Sequence, residues 1–293
     1  MGVVLHRFIL HNESIREASD AVLSPGQVGL LSGWGVFTTL RVTEGVLFAF
    51  ERHWARIKRD AAAFRVPIPE DPERVRRKLL DLVEANGAYN ATLRLAILRN
   101  TGSMWAGPPT GRASDLLALT ASSKEWGDGV RLAYVANGRH AASPFAGTKI
   151  LSWAMNLTWV EAAQARGLDE VILLNERGEV AECTSANIFV AVGNQVWTPP
   201  IDAGCLPGIT REVLLGEVRV PGIRIGEKAL RPADLEAADE VFITSTTRNL
   251  LPVFEIEGKK VGRSEEVCKA LGKAFADFVE RYVAAHRAAT VKS

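Results

Sequence analysis

Segments of strand-like and helix-like composition alternate along this chain without a regular βαβ rhythm, and that irregularity constrains the fold most: it predicts the α+β class. Residues 1–10 are apolar apart from His6 and Arg7 and read as a first strand. Residues 36–42 are rich in β-branched and aromatic side chains, Thr43-Glu44-Gly45 supplies a turn, and residues 46–50 complete a hairpin. Residues 51–64 read as a helix with Pro67 and Pro69 just beyond it. A second helix spans 72–85, with Asp71 placed to cap it, Pro72 at its first position and Asn86-Gly87 at its exit. Two apolar runs, 93–98 and 116–121, flank a Gly/Pro-rich loop at 100–111.

Beyond residue 122 the texture changes. A strand at 130–135 leads through a Gly- and Pro-containing loop to Lys149, and a helix over 151–166 ends at Gly167. Short strands follow at 170–174, around Val180, at 187–192 and at 195–198, and a long helix over about 264–286 closes the chain. This predicts a small N-terminal α/β domain over 1–121, a linker over 122–128 and a larger domain over 129–293.

The 35 basic and 34 acidic side chains leave a net charge of +1, which offers no electrostatic footprint for nucleic acid or an anionic membrane. Three cysteines without CxxC spacing argue against a disulfide framework or a zinc site, and predict a reducing, cytoplasmic setting. No apolar run is long enough to span a bilayer.

Four separated segments carry candidate chemistry. Gly147-Thr148-Lys149 sets a lysine between a Gly-containing loop and an apolar helix, where an amine could be drawn from water and act as a nucleophile; a solvated surface lysine is the ordinary alternative. Glu182 stands among apolar and small residues, where a carboxylate could keep a heteroaromatic nitrogen protonated; the plainer reading is a strand-end acid facing water. Leu206-Pro207-Gly208-Ile209-Thr210-Arg211 opens a helical run, and free N–H groups at a helix start bind anions, though a plain cap looks similar. Thr244-Ser245-Thr246-Thr247-Arg248-Asn249 ends an apolar strand with hydroxyls and an arginine that suit a phosphate or a carboxylate, or simply form a polar turn. His53 and Arg56 lie three apart on one helix face, where a buried arginine could clamp a phosphate. Gly33-Trp34-Gly35 leads into a strand and lacks the third glycine of a dinucleotide fingerprint, and the other histidines show no ligand spacing, so no metal site is expected.

In this order the segments resemble the class IV, fold type IV, pyridoxal-phosphate enzymes, which include branched-chain and D-amino-acid aminotransferases and aminodeoxychorismate lyases. The resemblance runs from about Gly33 to Ile256. It is carried by Gly35-Val36-Phe37-Thr38-Thr39-Leu40-Arg41, His53-x-x-Arg56, Lys149, Glu182-x4-Asn187-Ile188-Phe189, Leu206-x-Gly208-Ile209-Thr210-Arg211 and Thr244-Ser245-Thr246-Thr247. It implies a larger domain that binds pyridoxal 5'-phosphate on a barrel-like sheet, and a homodimer. Lys149 would form the Schiff base and move the substrate α-proton, and Glu182 would pair with the pyridinium nitrogen. Arg56, Ile209, Thr210 and Thr246 would hold the phosphate, Leu206 would lie against the ring, and Thr247 would sit near the substrate carboxylate. Phe37, Thr39, Arg94 and Arg248 are the further substrate candidates.

The implied reaction is ping-pong transfer of an amino group between a branched-chain-like or D-amino acid and a 2-oxo acid. The alternative is release of 4-aminobenzoate and pyruvate from aminodeoxychorismate. Thr38 stands where branched-chain enzymes carry glutamate, and Ala154 where they carry tyrosine; Thr38-Thr39 and Ala181-Glu182-Cys183 look more like the lyases, and Thr244-Ser245-Thr246-Thr247 most like the D-amino-acid enzymes. An anion-binding protein without covalent chemistry is a third reading.

Overall fold

The computed structural model describes residues 3–20, 27–102 and 111–290. Two compact units emerge. The first comprises Met1–Lys124, Lys149–Trp153 and Arg281–Ser293; the second comprises Glu125–Thr148 and Ala154–Glu280. The loop expected at 100–111 lies outside the described residues from 103 to 110.

The first unit is built on an antiparallel six-stranded sheet. Its strands are β1 (Leu5–His11), β2 (Ser14–Glu17), β3 (Gly35–Thr43), β4 (Val46–Leu47), β5 (Ala91–Arg99) and β6 (Ser114–Ala121), in the order β2-β1-β6-β5-β3-β4. β3 and β5 pair in register from Gly35↔Leu98 to Val42↔Ala91. Strand side chains alternate between faces, so Val36, Leu40, Leu93, Leu95 and Ile97 point one way and are wholly buried. They meet α2 (Phe50–Ala63) and α3 (Pro72–Ala85), whose Ile57, Leu79 and Leu82 complete the core. A short α1 (Val28–Ser32) precedes β3. The Asp71 carboxylate accepts from Glu73 N and Arg74 N at 2.9 and 3.0 Å, a cap worth about 1 kcal/mol.

Two local expectations are corrected here. The strand expected over 46–50 ends at Leu47: Ala49 adopts a left-handed φ of 54° and Phe50 starts α2, stacking on Trp54 one turn later. The helix expected from 151 begins at Ala154, as α4 (Ala154–Ala165), because the preceding backbone is used in sheet pairing. Ile150 bridges Val36, and Leu151 N donates to Gly35 O at 3.0 Å.

The second unit is a mixed nine-stranded sheet. It contains β7 (Val130–Val135), β8 (Glu170–Leu174), β9 (Val180–Cys183), β10 (Asn187–Val192), β11 (Gln195–Thr198), β12 (Arg224–Glu227), β13 (Glu240–Ser245), β14 (Asn249–Ile256) and β15 (Lys259–Lys260). The order is β12-β11-β10-β13-β14-β7-β8-β9, with β15 on β14. Ile188, Val190, Ile243, Leu132 and Ile172 fill its core. Helices α5 (Ile209–Gly216) and α6 (Pro232–Ala237) follow β11 and β12, and α7 (Glu266–Thr290) ends the described chain, crossing from the second unit to the first after Glu280. The class is α+β.

Candidate active site

In the first unit the site candidates are sorted by the alternation of β3. Phe37 and Thr39 point to the face opposite the helices, and Arg94 joins them there because it pairs with Thr39 across the sheet. The Arg94 guanidinium lies 4.1 Å from the Phe37 ring centroid. Thr38 points the other way, into the buried layer beneath α2, where it meets His53 and Arg56. Its hydroxyl lies 2.7 Å from His53 Nδ1 and accepts from Arg56 Nη2 at 2.9 Å. Burial, and after it the charges of Arg56 and Lys149, holds the His53 imidazole well below its ordinary range, so it is neutral near pH 7.

Lys149 is half-buried, and its backbone is fixed on both sides. Its N–H donates to Asp60 Oδ2 at 3.0 Å and its carbonyl accepts from Phe37 N at 3.0 Å. The Nζ lies 4.6 Å from the Phe37 ring centroid and 6.0 Å from that of Trp153. The amine is therefore carried on a rigid backbone and rests against aromatic faces. Asp60, 1 % exposed, was not anticipated from sequence. The available signal was the helical stripe: His53, Arg56 and Asp60 fall at i, i+3 and i+7 on the face that buries Ile57 and Ala61.

In the second unit Glu182 lies on buried β9. Its Oε1 accepts from Arg139 Nε at 2.9 Å and its Oε2 from Leu206 N at 3.1 Å. Arg139 also donates to Asn156 Oδ1 at 3.3 Å. Sequence reading missed Arg139; the signal was that an acid in so apolar a strand needs a cationic partner, and the 136–148 loop offers one. Asn187 donates to Leu206 O at 2.8 Å, which fixes the turn into α5. Gly208 is forced there: a Cβ would stand 2.1 Å from Asn187 Oδ1. Ile209 and Thr210 open α5, are buried, and bring its first N–H groups beside this turn. Gly147, at φ 67°, passes against Cys205 O, where a Cβ would come to 2.6 Å.

Thr246, Thr247 and Arg248 form the turn from β13 to β14, with Ser245 paired to Asn249 across it. Thr247 O accepts from Trp126 Nε1 at 3.1 Å. Arg248, a substrate candidate from the sequence, has a side chain only 7% exposed and bonded to Ser185 and Glu170. Among the described residues no group of three or more His, Cys, Asp or Glu side chains is placed to hold a metal ion.

The family model for amino-transferase class IV matches residues 35–256, most of the chain. The chain belongs to the class IV aminotransferase family. It is 31% identical over 271 residues to a provisionally named branched-chain-amino-acid aminotransferase of Methanocaldococcus jannaschii, covering 91% of this chain and 94% of that one. It is 30% identical to the D-alanine aminotransferase of Bacillus licheniformis, over 87% and 90% of the two chains. Among solved class IV folds, the branched-chain aminotransferase of Thermoproteus uzoniensis with norvaline superposes with a TM-score of 0.85 at 25% identity, covering 95% and 97%.

Pyridoxal 5'-phosphate is the cofactor of class IV aminotransferases. The residues of each unit suit it. The first carries a lysine on a fixed backbone and a buried arginine beside a neutral imidazole; the second carries a braced carboxylate, a glycine-led helix start and a hydroxyl-rich turn.

Proposed function

We propose that this protein transfers an amino group from an amino acid, branched-chain-like or D-configured, to a 2-oxo acid by a ping-pong mechanism. The observation that carries the reading is Lys149, whose backbone is locked by Asp60 and Phe37 while its amine rests on aromatic faces. Pyridoxal phosphate, when bound, supplies an electron-withdrawing ring that makes a substrate α-proton removable. Lys149 would hold the cofactor through its amine until the substrate amine displaces it, and the freed amine would then carry that proton between carbon atoms as base and acid. Glu182, kept in place by Arg139 and Leu206 N, would hold the proton on the ring nitrogen. Arg56, the Ile209 backbone, Thr210 and Thr246 would bind the phosphate, and Leu206 would lie against the ring.

Thr247 receives the substrate carboxylate, and Phe37, Thr39 and Arg94 border the substrate side chain. Because one lysine and one acid serve both half-reactions, the first 2-oxo acid leaves before the second enters, which makes the kinetics ping-pong. The names of the two relatives support both donor classes. A homodimer is proposed as well. Leu31 is 66% exposed in the first unit and Met155 64% in the second, apolar surface that a second copy would cover. All three cysteines are free and buried, which suits a reducing cytoplasm.

The test is an absorption spectrum of the purified protein before and after borohydride, with peptide mapping. A visible band converted to a fixed adduct on Lys149 is expected, together with turnover that requires an added 2-oxo acid. Turnover without the oxo acid means elimination instead. A protein that stays colourless with pyridoxal phosphate refutes the reading.

A further inference from the structure

Arg248 directly follows the two threonines of the β13–β14 turn, and both terminal nitrogens of its guanidinium are held within the second unit, while its buried Nε has no hydrogen-bond partner among the described residues. Its Nη2 lies 3.3 Å from Glu170 Oε2, a pair in which the side chains are 7% and 2% exposed. Its Nη1 donates to Ser185 Oγ at 2.9 Å and to Ser185 O at 3.2 Å. Its Cζ stands 3.8 Å from the Trp126 ring centroid. Trp126 in turn donates to Thr247 O, and the Arg248 N–H donates to Ser245 Oγ at 3.2 Å. Trp126, bonded to Thr247 O and stacked on Arg248, therefore joins the backbone of one short turn to a buried ion pair.

The acid of that pair is held as firmly. Glu170 accepts from Ser185 Oγ at 2.6 Å, from Thr184 Oγ1 and from Val171 N at 3.0 Å. Thr184 O accepts from Asn156 Nδ2 at 3.2 Å, and Asn156 accepts from Arg139, the partner of Glu182. One polar chain thus runs from the hydroxyl turn to the ring acid. A guanidinium so held has little exposure to an incoming carboxylate, and a shift toward substrate would weaken its pairing with Glu170 in the interior.

We propose that Arg248 is a positioning residue: anchored by Glu170 and stacked on Trp126, it fixes the Thr246–Thr247 turn in the geometry that binds the cofactor phosphate. This replaces the substrate contact expected of Arg248 from the sequence, and it rests on the cofactor reading given above. Glu170 and Trp126 share the role, each acting on the turn through Arg248 or Thr247.

The experiment compares wild type, Arg248→Met, Glu170→Gln and the double variant, each stripped of cofactor and titrated with pyridoxal phosphate by absorbance and tryptophan fluorescence. Each single variant is expected to weaken cofactor binding about tenfold, and the double variant no more than the weaker single, since the two residues act as one unit. KM for both substrates is expected to rise only together with the loss of cofactor affinity, because the same turn carries Thr247, proposed above to receive the substrate carboxylate, while neither Arg248 nor Glu170 is proposed to touch substrate. A raised KM with unchanged cofactor affinity in Arg248→Met would overturn the proposal and make the arginine a substrate ligand. A lowered melting temperature with unchanged cofactor affinity would overturn it too, leaving a plain structural pair. Should Arg248→Met fail to fold, Trp126→Phe keeps a ring beneath the guanidinium and removes only the donor to Thr247 O. It is expected to weaken cofactor binding measurably, and unchanged binding overturns the proposal. Wild type that takes up no cofactor removes the underlying reading and this one together; intact wild type with unaffected variants removes this one alone.

Discussion

Thr38 and His53 meet in the buried layer of the first unit, with the threonine hydroxyl 2.7 Å from Nδ1 of the imidazole. A guanidinium can only donate, so the same oxygen accepts from Arg56 Nη2 while sharing a hydrogen bond with His53 Nδ1. Thr38→Val strips both partners at once and is expected to cost about 1–3 kcal/mol of stability. Thr38→Ser keeps the hydroxyl and should recover most of it. Urea denaturation of the two variants measures the difference.

The depressed pKa of His53 sets a sign for acid stability. Its folded value lies below the unfolded value of about 6.5, so below that pH the unfolded chain binds a proton the folded chain does not. Stability is at its full value above about pH 6.5 and falls as the pH drops below it. His53→Gln removes the titrating group and is expected to flatten the fall between about pH 6.5 and pH 5, before carboxylates begin to dominate. Melting temperatures across that range check it, and parallel curves for the two proteins would contradict it.

Lys149→Ala is expected to lower turnover by about three orders of magnitude or more and to leave no borohydride-fixed label. The fold should persist, because the contacts that pin this segment come from its backbone, not from the amine. Circular dichroism and steady-state rates measured on the same preparation separate the two effects.

Glu182→Ala is expected to keep bound cofactor yet lose about a hundredfold or more in rate, because the ring loses its protonating partner. It also leaves the Arg139 guanidinium, 19% exposed, without its acid, at a cost of about 3 kcal/mol. Arg139→Met with Glu182→Ala should relieve part of that instability and none of the rate loss. A variant that turns over normally would refute the pyridinium assignment.

Glu240 gives a control far in sequence from these residues. Its buried carboxylate accepts from Val267 N at 2.9 Å and Cys268 N at 2.8 Å, capping α7 from outside the helix. Glu240→Ala is expected to destabilise the protein by about 1–2 kcal/mol, seen as a lower denaturation midpoint, without changing cofactor affinity.

The sequence determined the elements whose signals are local. The turn residues of β3–β4, the Asp71-Pro72 start of α3 and the apolar alternation of β5 and β6 each act within a few residues of themselves. The ordered motifs around Lys149, Glu182, Gly208 and Thr246 were legible too, since each is a short run of unusual composition. Tertiary structure decided what no local pattern encodes. It began α2 at Phe50, because an apolar run that packs beneath a sheet is not obliged to extend it. It drew Ile150 into pairing with Val36, and so returned the lysine segment to the N-terminal unit and shortened α4. It supplied the partners as well. Asp60 for Lys149, Arg139 for Glu182 and Glu170 for Arg248 lie 89, 43 and 78 residues away in the chain. Which residues carry polar chemistry is written in composition; which polar atoms meet depends on strands and helices paired across long separations, and only the folded chain brings those together.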